Sequence, residues 1–459
     1  MRVTSHGEMT TTAAFHSTVA VVGLGKIGLP LAVQFAQHGR RVIGCDINPL
    51  VIETINSGHA HVQEEPGIDE MVAQLVRDGA LSATSDIADA VRQASVVVVI
   101  VPVIVDAERN VDLSSMTSAT RMVGQGLQPG ALVVYETTLP VGTTSGPLRQ
   151  VLEETSGLTA GEDFFLAYSP ERVSAGRIFR DLATYPKVVG GLGAADLDAA
   201  VSFYSAVLDA PIMQMQSTDD AEFVKLIETT YRDVNIALAN EYARFADAHR
   251  LDVSAAIAAA NTQPYSHIHE PGVGVGGHCI PVYPYFLING DSGDIADTPT
   301  MTLPQRARQI NDGMARYAIQ RIEAEIGSLS GKAVLLLGVA YRANVRETAF
   351  TSALLLQDAL RERGALVYSD DPLYNDEELS SLGFTPFRPE LAGDVQAIIA
   401  QAAHRAYTSF DLRPFTACRV VLDGRHVLSQ EQVEAAGMRY IRIGDGKVPV
   451  AAPVLIERR

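Results

Sequence analysis

The run Pro271-Gly272-Val273-Gly274-Val275-Gly276-Gly277-His278-Cys279-Ile280-Pro281 sets a cysteine directly behind a glycine-rich stretch whose backbone can wrap a ligand closely. A thiolate at Cys279 is a nucleophile for carbon, and the ordinary thiol pKa of about 8.5 has to be lowered by nearby cations or N–H groups before it acts. Cys45 and Cys418 lie in or beside apolar strands, where cysteine serves as a small core hydrophobe. His278 is a candidate base, but adjacent side chains often diverge, so its position alone implies no Cys–His pair. The second pattern is Gly23-Leu24-Gly25-Lys26-Ile27-Gly28, a GxGxxG directly after an apolar strand and at the start of a helix. In that context Gly23 allows the tight turn, Gly25 lets a pyrophosphate approach the backbone, and Gly28 lets helix and strand pack closely. The helix start, with Lys26 and Ile27, offers free N–H groups and a partial positive charge to phosphates. Asp46 ends the next strand about twenty residues on, where a carboxylate accepts hydrogen bonds from ribose hydroxyls and repels a 2′-phosphate. NAD is expected over NADP, although Arg40 and Arg41 nearby could soften that preference.

These residues need elements to hold them. From Thr18 short β-branched runs alternate with helical stretches, the mark of βαβ units and a parallel sheet. Strands are expected at Thr18–Val22, Arg41–Asp46, Val96–Val101, Leu132–Glu136 and Phe165–Tyr168, and helices at Ile27–His38 and Gly67–Arg77. Beyond Asp219, the spacing of Phe223, Ile227, Val234 and Leu238 predicts a long helix, uninterrupted by proline before Pro264 and long enough to offer a dimer surface. A second alternating region gives strands Ala333–Val339, Ala365–Tyr368, Val395–Ala400 and Arg419–Asp423 with a helix near Ser352–Arg363, and no second glycine-rich dinucleotide loop. The expected fold is α/β, with two doubly wound Rossmann-like domains joined by a central helical segment. The boundaries read 17–215 for the NAD domain, 216–315 for the helical centre with the thiol loop, and 316–445 for the last domain.

Composition bounds the rest. At 459 residues the chain is too long for one ordinary core. A formal charge of -18 speaks against a broad nucleic-acid surface, and three separated cysteines offer neither a disulfide framework nor the paired spacing of a zinc site. Residues 1–16 lack the apolar core of a secretion signal and no later run reaches membrane-spanning length, so a cytoplasmic protein without metal is expected.

Together these pieces resemble the UDP-glucose/UDP-N-acetylmannosamine dehydrogenase family from about Ser17 to Asp445. The landmarks are Gly23–Gly28, Glu136-Thr137-Thr138-Leu139-Pro140-Val141-Gly142-Thr143-Thr144, Ser169-Pro170-Glu171-Arg172, Lys225, Gly276-Gly277-His278-Cys279 and Gly338-Val339-Ala340-Tyr341-Arg342. The resemblance implies an NAD-dependent oxidation of a UDP-sugar C6 alcohol to a carboxylate in two steps, through a thiohemiacetal and a thioester on Cys279. It further implies proton transfer and oxyanion stabilisation by Lys225, thioester hydrolysis aided by Glu171, and a catalytic water ordered by Thr138, which with Pro102 also borders the cofactor. Glu171, Lys225, Gly276 and Gly277 are expected at the sugar, and Arg342 and Arg346 at the UDP phosphates, where a guanidinium forks onto oxygen. A UDP-binding last domain and a homodimer or higher homo-oligomer belong to the same implication.

The His-Cys-Ile-Pro form of the thiol motif is more similar to the N-acetylhexosamine branch, so UDP-GlcNAc or UDP-ManNAc is the expected substrate and UDP-glucose the main alternative. A two-electron alcohol dehydrogenase and a non-catalytic nucleotide-sugar binding protein are the other readings. Four positions depart from the family pattern. Tyr283 stands at the usual aspartate, Thr229 at the usual asparagine that holds the oxyanion, Tyr265 at a common arginine, and Val273 at a common proline. Thr229 can still donate one hydrogen bond.

Overall fold

The computed structural model describes residues 18–62, 65–106, 108–174, 176–290 and 301–447. Residues 1–16, read above as lacking a secretion signal, and Ser17, the first residue of the first expected domain, lie outside the described residues, as do 291–300 within the expected helical centre. The chain divides into two compact units, one running through Glu228 and again over Tyr285–Ser292, the other over Thr229–Pro284 and from Gly293 onward.

The first unit contains strands β1 (Thr18–Val22), β2 (Arg41–Cys45), β3 (Leu81–Thr84), β4 (Val96–Val99), β5 (Ile104–Val105), β6 (Val111–Asp112), β7 (Leu132–Tyr135), β8 (Phe165–Tyr168), β9 (Lys187–Gly191) and β10 (Ile212–Gln214). Eight of them form one sheet in the order β10-β9-β8-β7-β4-β1-β2-β3, and β5 and β6 pair as a separate antiparallel hairpin. Neighbours in the large sheet are parallel except β8 and β9. β1 and β4 are buried at every residue, as continuous Val-rich strands must be when helices cover both faces of a sheet. Strand order reverses between β1 and β4, which opens the crevice at their carboxyl ends where this architecture binds ligands.

The expected strand Val96–Val101 ends at Val99, although Ile100 N–H still bonds the Val22 carbonyl at 2.8 Å, before Pro102 brings a residue with no N–H to give. β9 and β10 were not legible as strands: the first reads Lys-Val-Val-Gly-Gly, and the second has only three residues.

The second unit carries β11 (Ala333–Leu337), β12 (Leu366–Asp370), β13 (Val395–Ala400), β14 (Val420–Asp423) and β15 (Arg439–Arg442), all parallel in the order β12-β11-β13-β14-β15. The long helix is present as Thr218–His249, 32 residues. In this unit its Ala239, Ala243 and Ala246 join Met314, Ala315 and Ala318 of the helix Thr302–Ile326 in one buried cluster, small side chains on facing positions allowing close approach. Among the described residues no helix is long and apolar enough to cross a membrane, and no group of three or more His, Cys, Asp or Glu is placed to hold a metal ion.

One buried ion cluster ties this unit together. Arg321 has no exposed surface and pairs with Asp247 of the long helix and with Asp445 at 2.7 Å. Tyr317 donates to Asp247 at 2.7 Å, and Gly444 and Gly446 N–H groups bond the same carboxylate. Removing the cation would strand two carboxylates, so Arg321→Ala is expected to lower unfolding free energy by about 3–5 kcal/mol, the usual cost of breaking a buried pair. Urea denaturation followed by circular dichroism checks this; a loss below about 1 kcal/mol, typical of a surface pair, would contradict it.

Candidate active site

In the first unit the glycine loop leaves β1 at the crevice. Gly23 has φ +97°, and a Cβ there would lie 2.9 Å from the Ile100 carbonyl oxygen, so the turn rests against the end of β4. A Cβ on Gly28 would lie 1.9 Å from the Gly23 carbonyl oxygen, which makes glycine obligatory where the helix Gly28–Gln37 starts. At Gly25, by contrast, a Cβ would meet nothing within 4 Å, so the loop is open where a phosphate would approach. Lys26 is exposed beside it and Pro102 is exposed just beyond β4. Asp46 braces the loop by accepting from Leu24 N–H at 3.0 Å, and its other oxygen accepts from Asn48 N–H at 2.9 Å. A carboxylate has about four lone-pair positions, so capacity remains for ribose hydroxyls. Arg41 opens β2 and Asp46 follows its end, so Arg40 and Arg41 lie at the opposite end of that strand. These residues fit a dinucleotide.

The same unit holds Thr138, Glu171 and Lys225. Thr138 is buried in the turn after β7, beside Thr137, whose hydroxyl donates to the Val101 carbonyl at 2.7 Å. Lys225 is buried in the long helix. One turn before it, Glu222 accepts from Gly142 N–H at 2.6 Å, Thr144 N–H at 2.9 Å and the Thr144 hydroxyl at 2.7 Å. Burial pushes the Glu222 carboxyl up to about 7 against those hydrogen bonds. Glu222 thereby fastens the Pro-Val-Gly-Thr-Thr loop to the helix that carries Lys225. Thr229 stands four residues beyond Lys225 and is also buried, the spacing of one helical face. Glu171 follows β8 and meets Lys187 at 2.9 Å, whose ammonium also meets Glu136 at 2.7 Å.

In the second unit the thiol loop is held almost wholly by other segments. Gly272 N–H donates to Asn240 of the long helix at 3.0 Å. The Arg425 guanidinium donates to the carbonyls of Gly274 at 2.8 Å and Gln401 at 2.9 Å. Gly277, at φ +99°, donates its N–H to the Ala349 carbonyl at 2.8 Å. A Cβ on Gly276 would lie 2.7 Å from Tyr341 Cβ, and one on Gly277 3.0 Å from its ring, so both glycines are needed for this seat. Cys279 is half-buried and its carbonyl accepts from Tyr283 N–H at 2.9 Å, which closes one helical turn between the two. The exposed His278 ring stands 3.5 Å from the Glu347 carboxylate. Cys45 and Cys418 are buried; burial, with Asp86 and Asp46, pushes the Cys45 thiol up to about 12, and burial likewise pushes Cys418 up to about 12.

Tyr341 is positioned in turn from the end of β12. Asp371 accepts from Val339 and Ala340 N–H at 2.7 and 2.9 Å, and buried His404 lies 3.1 Å from the same oxygen. His404 Nδ1 accepts from Asn344 N–H at 3.0 Å, so Nε2 carries the proton that Asp371 receives. Arg342 lies 5.7 Å over the Tyr341 ring. Arg346 pairs with Glu378, donates to the Leu373 carbonyl at 3.0 Å and lies 5.0 Å over Tyr374. Tyr265 is exposed.

Sequence reasoning gave no role to Glu136, Lys187, Glu222, Asn240, Arg425, Asp371 or His404. A lysine opening the otherwise uncharged run Lys-Val-Val-Gly-Gly was the one visible signal, since a lysine is seldom buried without a partner.

The NAD binding, central and UDP binding domains of the UDP-glucose/GDP-mannose dehydrogenase family match residues 17–208, 219–313 and 335–430. The chain is 34% identical over 437 residues to a UDP-N-acetyl-D-mannosamine dehydrogenase of Pyrococcus horikoshii, covering 94% of this chain and 100% of that protein. A solved structure of UDP-D-ManNAc dehydrogenase from the same organism superposes with TM-score 0.84 at 34% identity, over 94% of this chain and 100% of that one. A UDP-glucose dehydrogenase structure from Pyrobaculum islandicum gives TM-score 0.83 at 28% identity, over 96% and 100%.

The glycine geometry generates a direct expectation. Gly28→Ala forces helix and loop apart and should weaken NADH binding by roughly tenfold or more, equivalent to about 1.4 kcal/mol of overpacking. Titration of NADH fluorescence measures it, and an unchanged dissociation constant would contradict the placement of the dinucleotide on this loop.

Proposed function

The chain belongs to the UDP-glucose/GDP-mannose dehydrogenase family, and from that premise we propose that it oxidises the C6 alcohol of a UDP-N-acetylhexosamine, UDP-GlcNAc or UDP-ManNAc, to the carboxylate through Cys279. The observation that carries this reading is the half-buried Cys279 at the end of a glycine loop pinned by Asn240, Arg425 and the Ala349 carbonyl, while the other two thiols are sealed in cores. NAD is the cofactor, and when bound it supplies the hydride acceptor for both oxidations. Gly23, Gly25, Lys26, Ile27 and Gly28 hold its pyrophosphate and Asp46 its ribose, with Pro102 and Thr138 along its edge.

Lys225 takes the C6 hydroxyl proton as the first oxidation gives the aldehyde. The Cys279 thiolate adds to that carbonyl carbon, and the new oxyanion is met by Lys225 and by the Thr229 hydroxyl. Oxidation of the resulting thiohemiacetal leaves a thioester. Water ordered by Thr138 attacks it with help from Glu171, the carbon–sulfur bond breaks, and the carboxylate leaves as the thiolate returns. Gly276 and Gly277 receive the sugar closely, and Arg342 and Arg346 meet the diphosphate. Tyr283, Thr229 and Tyr265, where the resemblance leads one to expect other residues, surround the sugar and set this chain's substrate preference. The division at 17–215, 216–315 and 316–445 assigns the two ligands to the outer domains, and cytoplasmic action belongs to the same reading.

Two NADH per sugar are expected from UDP-GlcNAc or UDP-ManNAc, and Cys279→Ser should arrest or severely slow turnover. Absorbance of NADH against consumed sugar, across a panel that includes UDP-glucose, decides the matter. One NADH per sugar with an unaffected variant would point to a simple alcohol dehydrogenase, binding without NADH to a non-catalytic protein, and preference for UDP-glucose to the other branch.

The homodimer has its own support. Tyr231, Leu238, Tyr242 and Phe245 of the long helix are exposed at intervals of seven, four and three, a stripe with heptad spacing. Tyr242→Glu with Phe245→Glu should convert the dimer to monomer in sedimentation velocity; an unchanged assembly would remove this face from the interface.

A further inference from the structure

The cluster around Glu171 contains more than the reaction uses. Glu136 follows β7, Lys187 opens β9 and Tyr204 lies in the helix Ala194–Ser205, so three elements deliver their polar ends to one place. The Lys187 side chain is 5% exposed, Glu136 0% and Glu171 11%. The ammonium bridges both carboxylates, at 2.7 Å to Glu136 and 2.9 Å to Glu171, and Tyr204 donates to the other Glu136 oxygen at 2.6 Å. Glu171 Oε1 accepts from Arg172 N–H at 2.7 Å and Val173 N–H at 3.1 Å. Three of its roughly four lone-pair positions are therefore taken, and the Glu136 carboxyl stands within hydrogen-bond reach of the same group. A small cavity lined by Glu171, Arg172, Tyr185, Pro186 and Lys187 lies alongside.

From this geometry we propose that Lys187 and Glu136 are positioning residues that hold the Glu171 carboxylate ionised and aimed, with Glu136 fixing Lys187 from behind. The inference rests on the reading of Glu171 as the group that helps water attack the thioester. One cation cannot fully compensate two buried carboxylates, so the pair divides the burden unequally. Burial drives Glu136 above the usual carboxylate range despite Lys187, whereas Glu171, which burial would also raise, is held below it by Lys187 and the Arg172 N–H. Lys187 stays charged because the two carboxylates outweigh the cost of its own burial. The Tyr204 phenol, raised well above its ordinary value by burial and by Glu136, remains a proton donor. The other ionisable groups nearby are Arg172, paired with Glu228 at 3.0 Å, together with Asp181 and Tyr185 beside the cavity.

The sign follows from charge. Without Lys187 the Glu171 pKa must rise, whereas Glu136→Gln removes the Glu136 charge and keeps a hydrogen-bond donor beside Glu171, so the pKa must stay or fall. Infrared titration of 13C-labelled carboxyl groups, with Glu171 assigned by difference against Glu171→Gln, reads this without substrate. Lys187→Met is expected to raise the Glu171 pKa by about 1–3 units, the effect of removing an adjacent opposite charge. Lys187→Arg should keep it near the native value, and Glu136→Gln should leave it at or below native. In turnover, Lys187→Met should move the acid limb of kcat upward by the same amount and accumulate a thioester adduct visible in the intact protein mass. An unmoved pKa in Lys187→Met, or an upward shift of similar size in Glu136→Gln, would overturn the proposal, because a merely loosened pocket shifts both alike. A native enzyme that forms one NADH per sugar and no thioester would instead sink the functional reading, and leave the infrared result standing.

Discussion

A loop built largely of glycine has few side chains with which to hold itself, and Cys279 sits at the end of one. Its ordering has to come from elsewhere, through N–H and carbonyl groups gripped by distant residues and through rings that fill the space glycine leaves. Asn240, Arg425, Ala349 and Tyr341 provide those grips within one compact unit. The cost of ordering a glycine-rich segment is high, so each holder must itself be rigid. Asn240 is locked by Asn311, and the loop behind Tyr341 by Asp371 and His404. The order of the thiol is thus borrowed from the second sheet and from the packed central helices.

The two sheets solve related problems with different means. Both reverse strand order once, β1 against β4 and β11 against β13, and both open a crevice at the carboxyl ends. The first crevice is lined by backbone, where Gly25 leaves open space. The second is held by a buried carboxylate and a histidine whose proton position is fixed by its partners. Among the described residues, buried charge is answered at Lys187 between two glutamates, at Arg321 between two aspartates, and at Arg308 between Asp233 and Asp312.

What could be read in the sequence follows from this. Gly28 acts on Gly23, and Asp46 on Leu24 and Asn48, all a short distance away in the chain, and their pattern announces both fold and cofactor. The long helix was visible because its apolar spacing is continuous. Lys187, by contrast, finds Glu136 51 residues away, and Arg425 finds Gly274 across 151, and no local pattern encodes such pairings. β9 was hidden because its lysine looks solvated and its glycines look like a turn, while the tertiary setting buries both. The resemblance brought Glu171 forward through its motif, yet the Lys187 and Glu136 side chains beside it lie outside that motif.

The distribution of the three thiols has a consequence for how the molecule ages. Burial keeps Cys45 and Cys418 protonated, with Asp86 and Asp46 adding to it at Cys45, so peroxide has little thiolate to attack there. Oxidative damage is channelled to Cys279, the one thiol with open surface. A first oxidation there gives the sulfenic acid, no second cysteine being placed to resolve it into a disulfide, and rescue depends on small-molecule thiols before the irreversible stages are reached. The burial that seals two of the three thiols also leaves the third as the molecule's point of exposure to oxidant.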